Sequence, residues 1–376
     1  MNNAFQLFIL LLVGATLPAM IVAMLAIYPI RRHAIRLGLM DRPGGHKAHT
    51  QATPLGGGIG IALGVVVTFA IATLAVFWTG WIDGLPESLA GRVAIYADGA
   101  QTRIGMLWSL IGAGLVLVVL GFVDDRRGLP WQFRLAVQFG VAIFTVYGMG
   151  IGLTAFIGLA WLTKLMSVLW IVAVINSFNM LDNMDGLSGG VAAVIATSMA
   201  IVMISTPDPA TAKPQLLVAA FLMVVLGALL GFLWHNRPPA KIFMGDTGSY
   251  LVGYLISVAM LMATFAGGGE GRPHAVLAPL CAMAVPLYDM CTVLWIRIRE
   301  GRSPFQADRR HFSHRLVELG MTRPRAVVTI YLVTATCGLA AILLTHVTVL
   351  QAITVLGIVG CMLWLIGILE STRWNQ

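Results

Sequence analysis

Residues 215–234 read QLLVAAFLMVVLGALLGFLW and contain no charged side chain. A helix of about 20 apolar residues is long enough to cross the hydrocarbon core of a bilayer. The stretch therefore predicts a transmembrane helix, and the rest of the chain repeats this pattern.

The whole chain has the composition of a membrane protein. Of its 376 residues, 58% are apolar and 11% are charged, whereas a soluble domain carries about 25% charged residues. This balance excludes a secreted domain, a cytosolic Rossmann enzyme and a disordered scaffold. Further stretches are apolar enough to span a bilayer, namely 5–30, 56–79, 104–122, 133–150, 165–181, 186–205, 248–267, 275–296, 326–345 and 349–370. We predict a single all-α, polytopic integral membrane domain over residues 1–376, with about 11 transmembrane helices.

The basic residues predict how the chain is oriented. Residues 1–6 contain no Lys or Arg, whereas Arg31, Arg32 and Arg36 follow the first span. If the spans alternate in direction, all but five of the 24 Lys and Arg residues fall on one side, which the positive-inside rule makes cytoplasmic. The N-terminus is then outside and the C-terminus cytoplasmic. Because the positive charge is mainly a topology signal, we expect no nucleic-acid partner.

The cytoplasmic side also collects most of the carboxylates, which contribute little to orientation. Acidic residues among many cations are typical of a site that holds a metal ion and phosphate groups. We therefore place the candidate active site in the connecting segments of this side, which are 31–55, 123–134, 179–190, 235–249 and 297–325.

Asp124 and Asp125 end the third span side by side. Adjacent like charges at a membrane boundary repel each other unless a cation or a proton relieves them. Both are candidates for a general base or an indirect Mg²⁺ partner acting on a phosphate substrate. The alternative is a solvated helix end with an Arg counterion.

Four polar residues close the fifth span at intervals of three. If the segment stays helical, Asn176, Asn179, Asp182 and Asp185 share one face. Their oxygens suit a hard divalent cation, or hydrogen bonds to a ribose and a base. A capping network before the turn at Gly186 is the alternative.

Residues 236–249, NRPPAKIFMGDTGS, link the seventh and eighth spans. Thr247 and Ser249 can cap the eighth span, whose first N–H groups are then free to bind an anion. Asp246 beside such a phosphate site usually needs a metal ion between them. Phe243 can stack on a base, although an isolated Phe is more often part of the core.

The glycines at 56–58 begin the second span, shortly after Lys47 and His49. Glycine lets the backbone approach a phosphate closely, and the two cationic side chains would assist. The competing interpretation is a flexible hinge.

Asp308, His311 and His314 follow one another at intervals of three in the longest inner loop. Two His with this spacing can bind a transition metal, but the surrounding Arg residues, Arg309 among them, favour an anion. We interpret the segment as a pyrophosphate clamp, because guanidinium groups match phosphate oxygens. The alternative is a solvated connector.

Together these segments resemble the polyprenyl-phosphate N-acetylhexosamine-1-phosphate transferases, or glycosyltransferase family 4. The similarity runs from about Asp41 to Thr322 in the family's order. Its most specific pieces are Asp124-Asp125, NMLDNMDG at 179–186, PAKIFMGDTGS at 239–249 and SPFQADRRH at 303–311. One piece alone is weak evidence, whereas four in order are specific.

The resemblance implies transfer of N-acetylhexosamine-1-phosphate, with N-acetylglucosamine favoured, from a UDP-sugar to undecaprenyl phosphate. The products would be undecaprenyl-pyrophosphoryl-sugar and UMP, in the first membrane step of a cell-envelope polysaccharide. The implied partners are UDP-N-acetylhexosamine, a polyprenyl phosphate and the lipid bilayer, and a homodimer is compatible with the resemblance. The implied cofactor is Mg²⁺, with Mn²⁺ as a substitute, and the implied location is the bacterial inner membrane.

The resemblance also assigns roles to individual residues. Asn179, Asp182 and Asp246 would hold Mg²⁺, while Asp124 and Asp125 would deprotonate or orient the lipid phosphate. The remaining assigned residues would contact the nucleotide sugar or a phosphate, and they are Lys47, His49, Asn176, Asp185, Asn236, Phe243, Arg309, His311 and His314.

Some positions depart from the family's pattern. Ser313 stands where sugar-transferring members commonly have a His, Arg134 where Lys is expected, and His46 where Arg is usual. The Asp-Arg-Arg-His form favours UDP-N-acetylglucosamine or a relative. The alternative within the family is a phospho-N-acetylmuramoyl-pentapeptide transferase of peptidoglycan synthesis, whose His-rich loop is not evident here.

Two other classes of function compete with a transferase. A lipid or sugar transporter would place ionisable groups near the bilayer midplane, and Asp289 alone lies well inside a predicted span. A non-catalytic scaffold would explain Ser313, but the intact set of acidic residues is evidence against it.

Overall fold

The computed structural model describes residues 3–41, 52–78, 99, 101–153, 159–208, 213–263, 273–306 and 309–371. Within these ranges the chain is mostly helical, which confirms the all-α part of the predicted fold class. The described chain also contains a short antiparallel pair, in which Met40–Asp41 (β1) lies opposite Thr53–Pro54 (β2).

The helices of the described residues follow one another along the chain. They are α1 (Asn3–Leu11), α2 (Leu17–His33), α3 (Gly57–Phe77), α4 (Ile104–Arg127), α5 (Trp131–Ile143), α6 (Ala160–Leu181), α7 (Leu187–Ser205), α8 (Leu216–Asn236), α9 (Gly245–Met262), α10 (Ala278–Ala282), α11 (Ala284–Arg299), α12 (Phe312–Glu318), α13 (Arg323–Leu344) and α14 (Val349–Ser371). Wider or tighter helical turns extend three of them, at Leu12–Thr16, Phe144–Gly148 and Pro273–Leu277.

Eight helices of the described chain are long and apolar enough to cross a membrane. They are the run Phe8–His33 and the helices α3, α4, α6, α7, α8, α13 and α14. The pair Pro273–Ala282 and Ala284–Arg299, bent by 66°, would be a ninth. The other predicted spans, 133–150 and 248–267, coincide with α5 and α9. Because α5 has 13 residues and α9 begins with polar residues, the count of eleven stays a prediction, while the structure fits a polytopic membrane protein.

The apolar stretch 215–234 forms α8, which lies at the centre of the bundle. In the most apolar part of each helix, 72% of the residues of α8 and 83% of those of α7 are buried, compared with 11% in α14. A helix that is apolar on all sides is suited to such a buried position. The central pair therefore supports the site, while α14 lies at the periphery.

Glycines let several helices pack backbone against backbone. A Cβ atom at Gly231 of α8 would meet the carbonyl oxygen of Met20 in α2, and one at Gly58 of α3 would meet the backbone of Gly248 in α9. Small residues at such contacts allow membrane helices to approach closely. These contacts fix α3 directly against the start of α9.

A buried ion pair anchors the peripheral helix α14. Arg315 of α12 places its Nε 3.1 Å from Oε2 of Glu370, and the hydroxyl of Tyr288 in α11 donates to the same oxygen at 2.9 Å. Breaking a buried ion pair is costly, because the remaining charge is left without a partner. Glu370 therefore ties α14 to α11 and α12.

We predict that Gly121→Ala destabilises the protein, whereas Gly112→Ala in the same helix does not. A Cβ atom at residue 121 would meet the backbone of Asp246 and Thr247, while one at residue 112 has no atom within 4 Å. Overpacking costs about 1–3 kcal/mol, so the Gly121 variant should melt at a lower temperature. Thermal unfolding of the detergent-solubilised protein measures the difference, and equal melting temperatures would contradict the close approach of α4 and α9.

Candidate active site

Four of the five predicted active-site segments meet at one end of the bundle, and these are 123–134, 179–190, 235–249 and 297–325. Hydrogen bonds join 123–134 to 235–249 and 179–190 to 235–249. Another joins 297–325 to 179–190. The remaining segment, 31–55, is described only in part. Its described part joins the others where the N–H of Phe243 donates to the carbonyl of Pro54 at 2.9 Å.

Asp125 at the end of α4 caps the beginning of α9. Its Oδ1 accepts the N–H of Asp246 at 2.9 Å, and its Oδ2 accepts the N–H and the hydroxyl of Thr247 at 3.1 and 2.6 Å. A carboxylate is favoured at a helix start because the first N–H groups are free and carry partial positive charge. Gly245 has a φ of 70°, and a Cβ atom there would lie 2.6 Å from Asp125 Oδ2. Both oxygens of Asp125 are therefore occupied by α9.

The start of α9 is consequently not free to bind an anion, and the sequence prediction was wrong on this point. Thr247 donates its hydroxyl to Asp125 instead of capping its own helix. The N–H of Gly245 bonds to the carboxylate of Asp182. Carboxylates of the protein itself occupy the place that was predicted for a phosphate.

The glycines that begin α3 serve a different purpose from the predicted one. The N–H groups of Gly57 and Gly58 donate to the carbonyls of Phe243 and Met244 at 2.9 and 3.1 Å. These two glycines therefore let α3 approach the backbone of residues 243 and 244. They neither leave their N–H groups free for a phosphate nor form a loose hinge.

Asp124 is buried among three donors. The N–H of Leu129 donates to its Oδ1 at 2.6 Å, while Nη1 of Arg134 and the hydroxyl of Tyr250 lie 3.1 and 2.9 Å from its Oδ2. Hydrogen bonds to an ionised group are stronger than those between neutral groups. Since Asp124 is 6% exposed, the alternative of a solvated helix end is wrong for this residue.

Asp246 faces Asp124, and the two carboxyl groups lie within hydrogen-bonding reach of each other. Nδ2 of Asn179 donates to Oδ1 of Asp246 at 2.5 Å and to Oγ of Ser249 at 3.1 Å. Two carboxyl groups this close do not both ionise readily without a cation or a shared proton. The pair is therefore the point of the site that most needs positive charge.

Asp182 lies directly after α6 and has a raised pKa. Burial, and then the negative charge of Asp125, raise the pKa of Asp182 to about 7, although the N–H of Gly245 donates to its carboxylate. Asp182 is consequently protonated part of the time at neutral pH. A bound cation would favour its ionised form.

The helix that carries the polar residues at intervals of three ends before the last two of them, Asp182 and Asp185. Helix α6 stops just before Asp182, whose φ of −79° and ψ of 62° are not helical. Asp185 therefore lies in the following turn, where its Oδ2 accepts the N–H of Ala240 at 2.9 Å. The prediction of one shared helix face is correct for Asn176 and Asn179 and wrong for Asp182 and Asp185.

Asn176 and Asn236 already have protein partners. Nδ2 of Asn176 donates to Oε1 of Gln138 at 2.7 Å. Oδ1 of Asn236 accepts the N–H of Gly186 at 2.8 Å, and its Nδ2 donates to the carbonyl of Ile242 at 2.7 Å. Asn236 therefore links two of the site segments, Asn176 links α6 to α5, and the contact of either side chain with substrate stays a prediction.

Asp289 of α11 holds the start of α12. Its Oδ2 lies 2.9 Å from Nδ1 of His311, and its Oδ1 accepts the N–H of Phe312 at 2.6 Å. The acidic residue inside a predicted span is thus paired with one of the predicted phosphate ligands.

His314 lies near His311, with 6.4 Å between the ring centroids. Burial, and then the positive charges of His311, Arg309 and Arg323, lower the pKa of His314 to about 4. His314 is therefore neutral at pH 7. Its cationic surroundings are suited to an anion.

For some predicted residues the structure does not test the proposed contact with substrate. Lys47, His49 and Asp308 lie outside the described residues. Phe243 is half-buried and Arg309 is exposed, and their contacts with the nucleotide stay predictions.

In the described ranges, no three His, Cys, Asp or Glu side chains already enclose a metal position. The predicted ligands are nevertheless close together. Asp246 lies in the first turn of α9, Asn179 donates to its carboxylate, and Asp182 accepts the N–H of Gly245 beside it. They offer carboxylate and amide oxygens, which are the donors that Mg²⁺ prefers. The chemistry therefore fits, provided that the amide of Asn179 turns its oxygen toward the ion.

Sequence reasoning missed several residues that hold the site from within apolar helices. Tyr250 and Gln138 contact site residues directly, and the hydroxyl of Tyr331 in α13 donates to the carbonyl of Gly186 at 2.5 Å. Each is a polar atom within an apolar stretch. This isolation is the signal that points to them, because a polar group in a membrane needs a partner.

Comparison with known proteins places the chain among membrane transferases. Residues 107–264 match the family described as Glycosyl transferase family 4. The chain is 30% identical over 337 residues to the probable undecaprenyl-phosphate N-acetylglucosaminyl 1-phosphate transferase of Bacillus subtilis, which covers 88% of this chain and 84% of that protein. It is 32% identical over 347 residues to the decaprenyl-phosphate N-acetylglucosaminephosphotransferase of Mycobacterium tuberculosis, covering 86% and 79%. An undecaprenyl-phosphate alpha-N-acetylglucosaminyl 1-phosphate transferase of Salmonella typhi is 29% identical over 319 residues, covering 82% and 77%.

A helical membrane bundle with carboxylates and cations gathered at one end is typical of an enzyme that acts on anionic substrates. With these relatives, the chain belongs to glycosyl transferase family 4, the polyprenyl-phosphate N-acetylhexosamine-1-phosphate transferases. The resemblance seen in the motifs is confirmed.

We predict that His314→Gln weakens the pH dependence of stability between about pH 6.5 and about pH 4. The pKa of His314 falls from 6.5 to about 4 on folding, so the unfolded chain binds more protons in this range. The corresponding stability is complete above pH 6.5 and is lost as the pH falls toward 4.

Melting temperatures across this range measure the effect. The wild type should lose more stability on acidification than His314→Gln, while His346→Gln, at an exposed position, should follow the wild type. Parallel curves for wild type and His314→Gln would contradict the assignment.

Proposed function

We propose that this protein transfers N-acetylglucosamine-1-phosphate from UDP-N-acetylglucosamine to undecaprenyl phosphate and releases UMP. The lipid product would begin a cell-envelope polysaccharide. The facing pair of Asp124, which is buried, and Asp246, which is half-buried, carries the proposal, with Arg134 and Asn179 on either side of it. The choice of sugar follows the names of the relatives, all of which include N-acetylglucosamine.

The reaction is a phosphoryl transfer. An oxygen of the lipid phosphate attacks the β-phosphorus of the UDP-sugar, and the bond between this phosphorus and the bridging oxygen breaks, so that UMP leaves. Such a reaction needs little covalent chemistry from the protein. The protein must screen two anions, align them and exclude water.

The geometry supports different roles for the two adjacent acids. Because both oxygens of Asp125 are bonded to α9, Asp125 would position the site. Asp124 and Asp246 would face the reacting phosphates. His311 and His314, with the adjacent Arg309, would hold the pyrophosphate of the donor.

The residues Asn179, Asp182 and Asp246 would hold Mg²⁺. When bound, the ion would supply positive charge to the phosphate oxygens. The proximity of the carboxyl groups of Asp124 and Asp246 supports this proposal, because it leaves negative charge to be balanced.

The orientation is part of the same proposal. We infer that eleven spans cross a bacterial inner membrane, with the N-terminus outside and the site at the cytoplasmic face. The distribution of Lys and Arg supports this orientation. It would also place the site where UDP-sugars are available.

The contacts of Asp289 disfavour the transporter hypothesis. Both oxygens of this carboxylate are bonded to the start of α12, so it is not available to a transport pathway. The phospho-N-acetylmuramoyl-pentapeptide transferase stays an alternative that the choice of donor can decide.

We predict that Asp246→Asn lowers the release of UMP about 100-fold or more, because the site loses a carboxylate that would hold Mg²⁺ beside the phosphates. The purified protein would be incubated with undecaprenyl phosphate, Mg²⁺ and one donor at a time. The donors are UDP-N-acetylglucosamine, UDP-N-acetylgalactosamine and UDP-N-acetylmuramoyl-pentapeptide. Glu318→Gln is the control, since it removes an exposed carboxylate of α12 and should leave turnover unchanged.

Absence of UMP with every donor would reject the proposed function. Release from the muramoyl-pentapeptide donor alone would assign the chain to the alternative branch. Full turnover in Asp246→Asn would overturn the metal assignment.

We predict that Mg²⁺ raises the melting temperature more at about pH 8 than at about pH 5.5, because a carboxylate must lose its proton to bind a metal. The pKa of Asp182 is about 7 without metal, so this ligand is protonated at the lower pH. Asp182→Asn should reduce the difference between the two pH values, and Asp246, whose pKa is also raised by burial and by the charge of Asp125, should account for what remains. Equal shifts at both pH values in the wild type would contradict the role of Asp182.

A further inference from the structure

Asp289 is a buried carboxylate that the proposed reaction does not use. It is 0% exposed in the membrane helix α11, where a charge is costly unless it is paired. Its Oδ1 accepts the N–H of Phe312 at 2.6 Å, and its Oδ2 lies 2.9 Å from Nδ1 of His311. The buried charge is thus placed against one peptide group and one imidazole ring.

This contact decides which nitrogen of His311 carries hydrogen. When Asp289 is ionised, its oxygens only accept hydrogen bonds, and Nδ1 of His311 is then the donor of this contact. In the neutral ring Nε2 is then unprotonated. Because Nδ1 is committed to Asp289, Nε2 is the ring nitrogen that remains for a ligand.

His311 lies beside the predicted phosphate site. The hydroxyl of Ser313 donates to Oδ1 of Asn183 at 2.5 Å, which holds the start of α12 against the turn that contains Asp182. The positive charges of Arg309 and Arg323 act on the neighbouring His314. The start of α12 is therefore cationic and adjacent to the carboxylates of the site.

We propose that Asp289 is a positioning residue for the sugar-phosphate transfer. It fixes His311 with Nδ1 protonated and leaves Nε2 to contact a phosphate of the nucleotide sugar. The carboxylate also balances the charge of His311 when the ring is protonated against that phosphate. The identity of the ligand rests on the proposed function, whereas the hydrogen-bonding state of His311 does not.

The Asp289→Asn variant should reverse the tautomer of His311. Asn offers one accepting oxygen, and the N–H of Phe312 can only donate, so it retains that oxygen. The amide NH₂ then faces Nδ1, which accepts a hydrogen bond only if the ring proton moves to Nε2. We expect turnover of UDP-N-acetylglucosamine to fall about 10–100-fold, as when the outer partner of a metal-bound His is removed.

A double-mutant cycle separates positioning from a loss of stability. In the background His311→Gln, which has no ring, Asp289→Asn should change turnover less than about 2-fold. Thr292→Val is the matched control, because Thr292 also lies on α11 and accepts a hydrogen bond from Arg315 of α12 at 2.9 Å. Its effect should be the same in both backgrounds. An effect of Asp289→Asn that is equal in both backgrounds would overturn the proposal.

Nitrogen-15 NMR of His-labelled protein in lipid vesicles provides a readout that needs no turnover. Loss of a resonance in His311→Gln assigns the ring. We expect a protonated Nδ1 in the wild type, and in Asp289→Asn a protonated Nε2 with a bare Nδ1. A bare Nδ1 in the wild type, or the same tautomer in both proteins, would overturn the proposal.

The two readouts distinguish this proposal from the proposed function. If the wild type releases no UMP with any donor but the tautomer changes with Asp289→Asn, the proposed function fails and the control of His311 by Asp289 stands. If Asp289→Asn does not fold, the wild-type spectrum alone tests the proposal. A protonated Nδ1 supports it, and a bare Nδ1 overturns it.

Discussion

The cap that Asp125 places on α9 is the interaction on which the rest of the site depends. Three hydrogen bonds to a single carboxylate fix the end of α4 against the first turn of α9. This register brings Asp246 and Tyr250, both on α9, to Asp124 on α4. Hydrogen bonds to an ionised acceptor are strong, and they strengthen further where water is scarce. A shift of α9 along its axis would break the hydrogen bonds to Asp125 and, at the same time, separate the facing carboxyl groups of Asp124 and Asp246.

The same physical device occurs twice in the described chain. Asp125 lies in the last turn of α4 and Asp289 lies within α11, and each accepts N–H groups from the first residues of a helix that carries site residues. Acids at the site therefore divide into two kinds. One kind holds helices in place, whereas the other, which includes Asp124 and Asp246, faces the place where charge is needed.

Much of the fold could be predicted from the sequence, because uninterrupted apolar stretches have few alternatives to membrane helices. The gathering of the motif segments followed from the alternation of the spans. The division of labour between Asp124 and Asp125 could not be predicted, since neighbouring residues on a helix point about 100° apart and only the position of α9 separates them. The glycines at 57 and 58 were misinterpreted for a related reason. A sequence shows that a backbone can be approached closely, but it does not show by what.

The ion pair at Glu370 gives the peripheral helix α14 an unusual dependence on its last turn. Most of the surface of this helix faces outward, so one apolar residue can replace another there with little effect on the bundle. The carboxylate of Glu370 instead meets Arg315, on the same short helix α12 whose N-terminal cap is His311. The outermost helix therefore supplies the counter-charge for the element that presents the His residues. Besides the small buried contacts of Ala352 and Val359, the polar hold on α14 thus rests on a residue of its last turn.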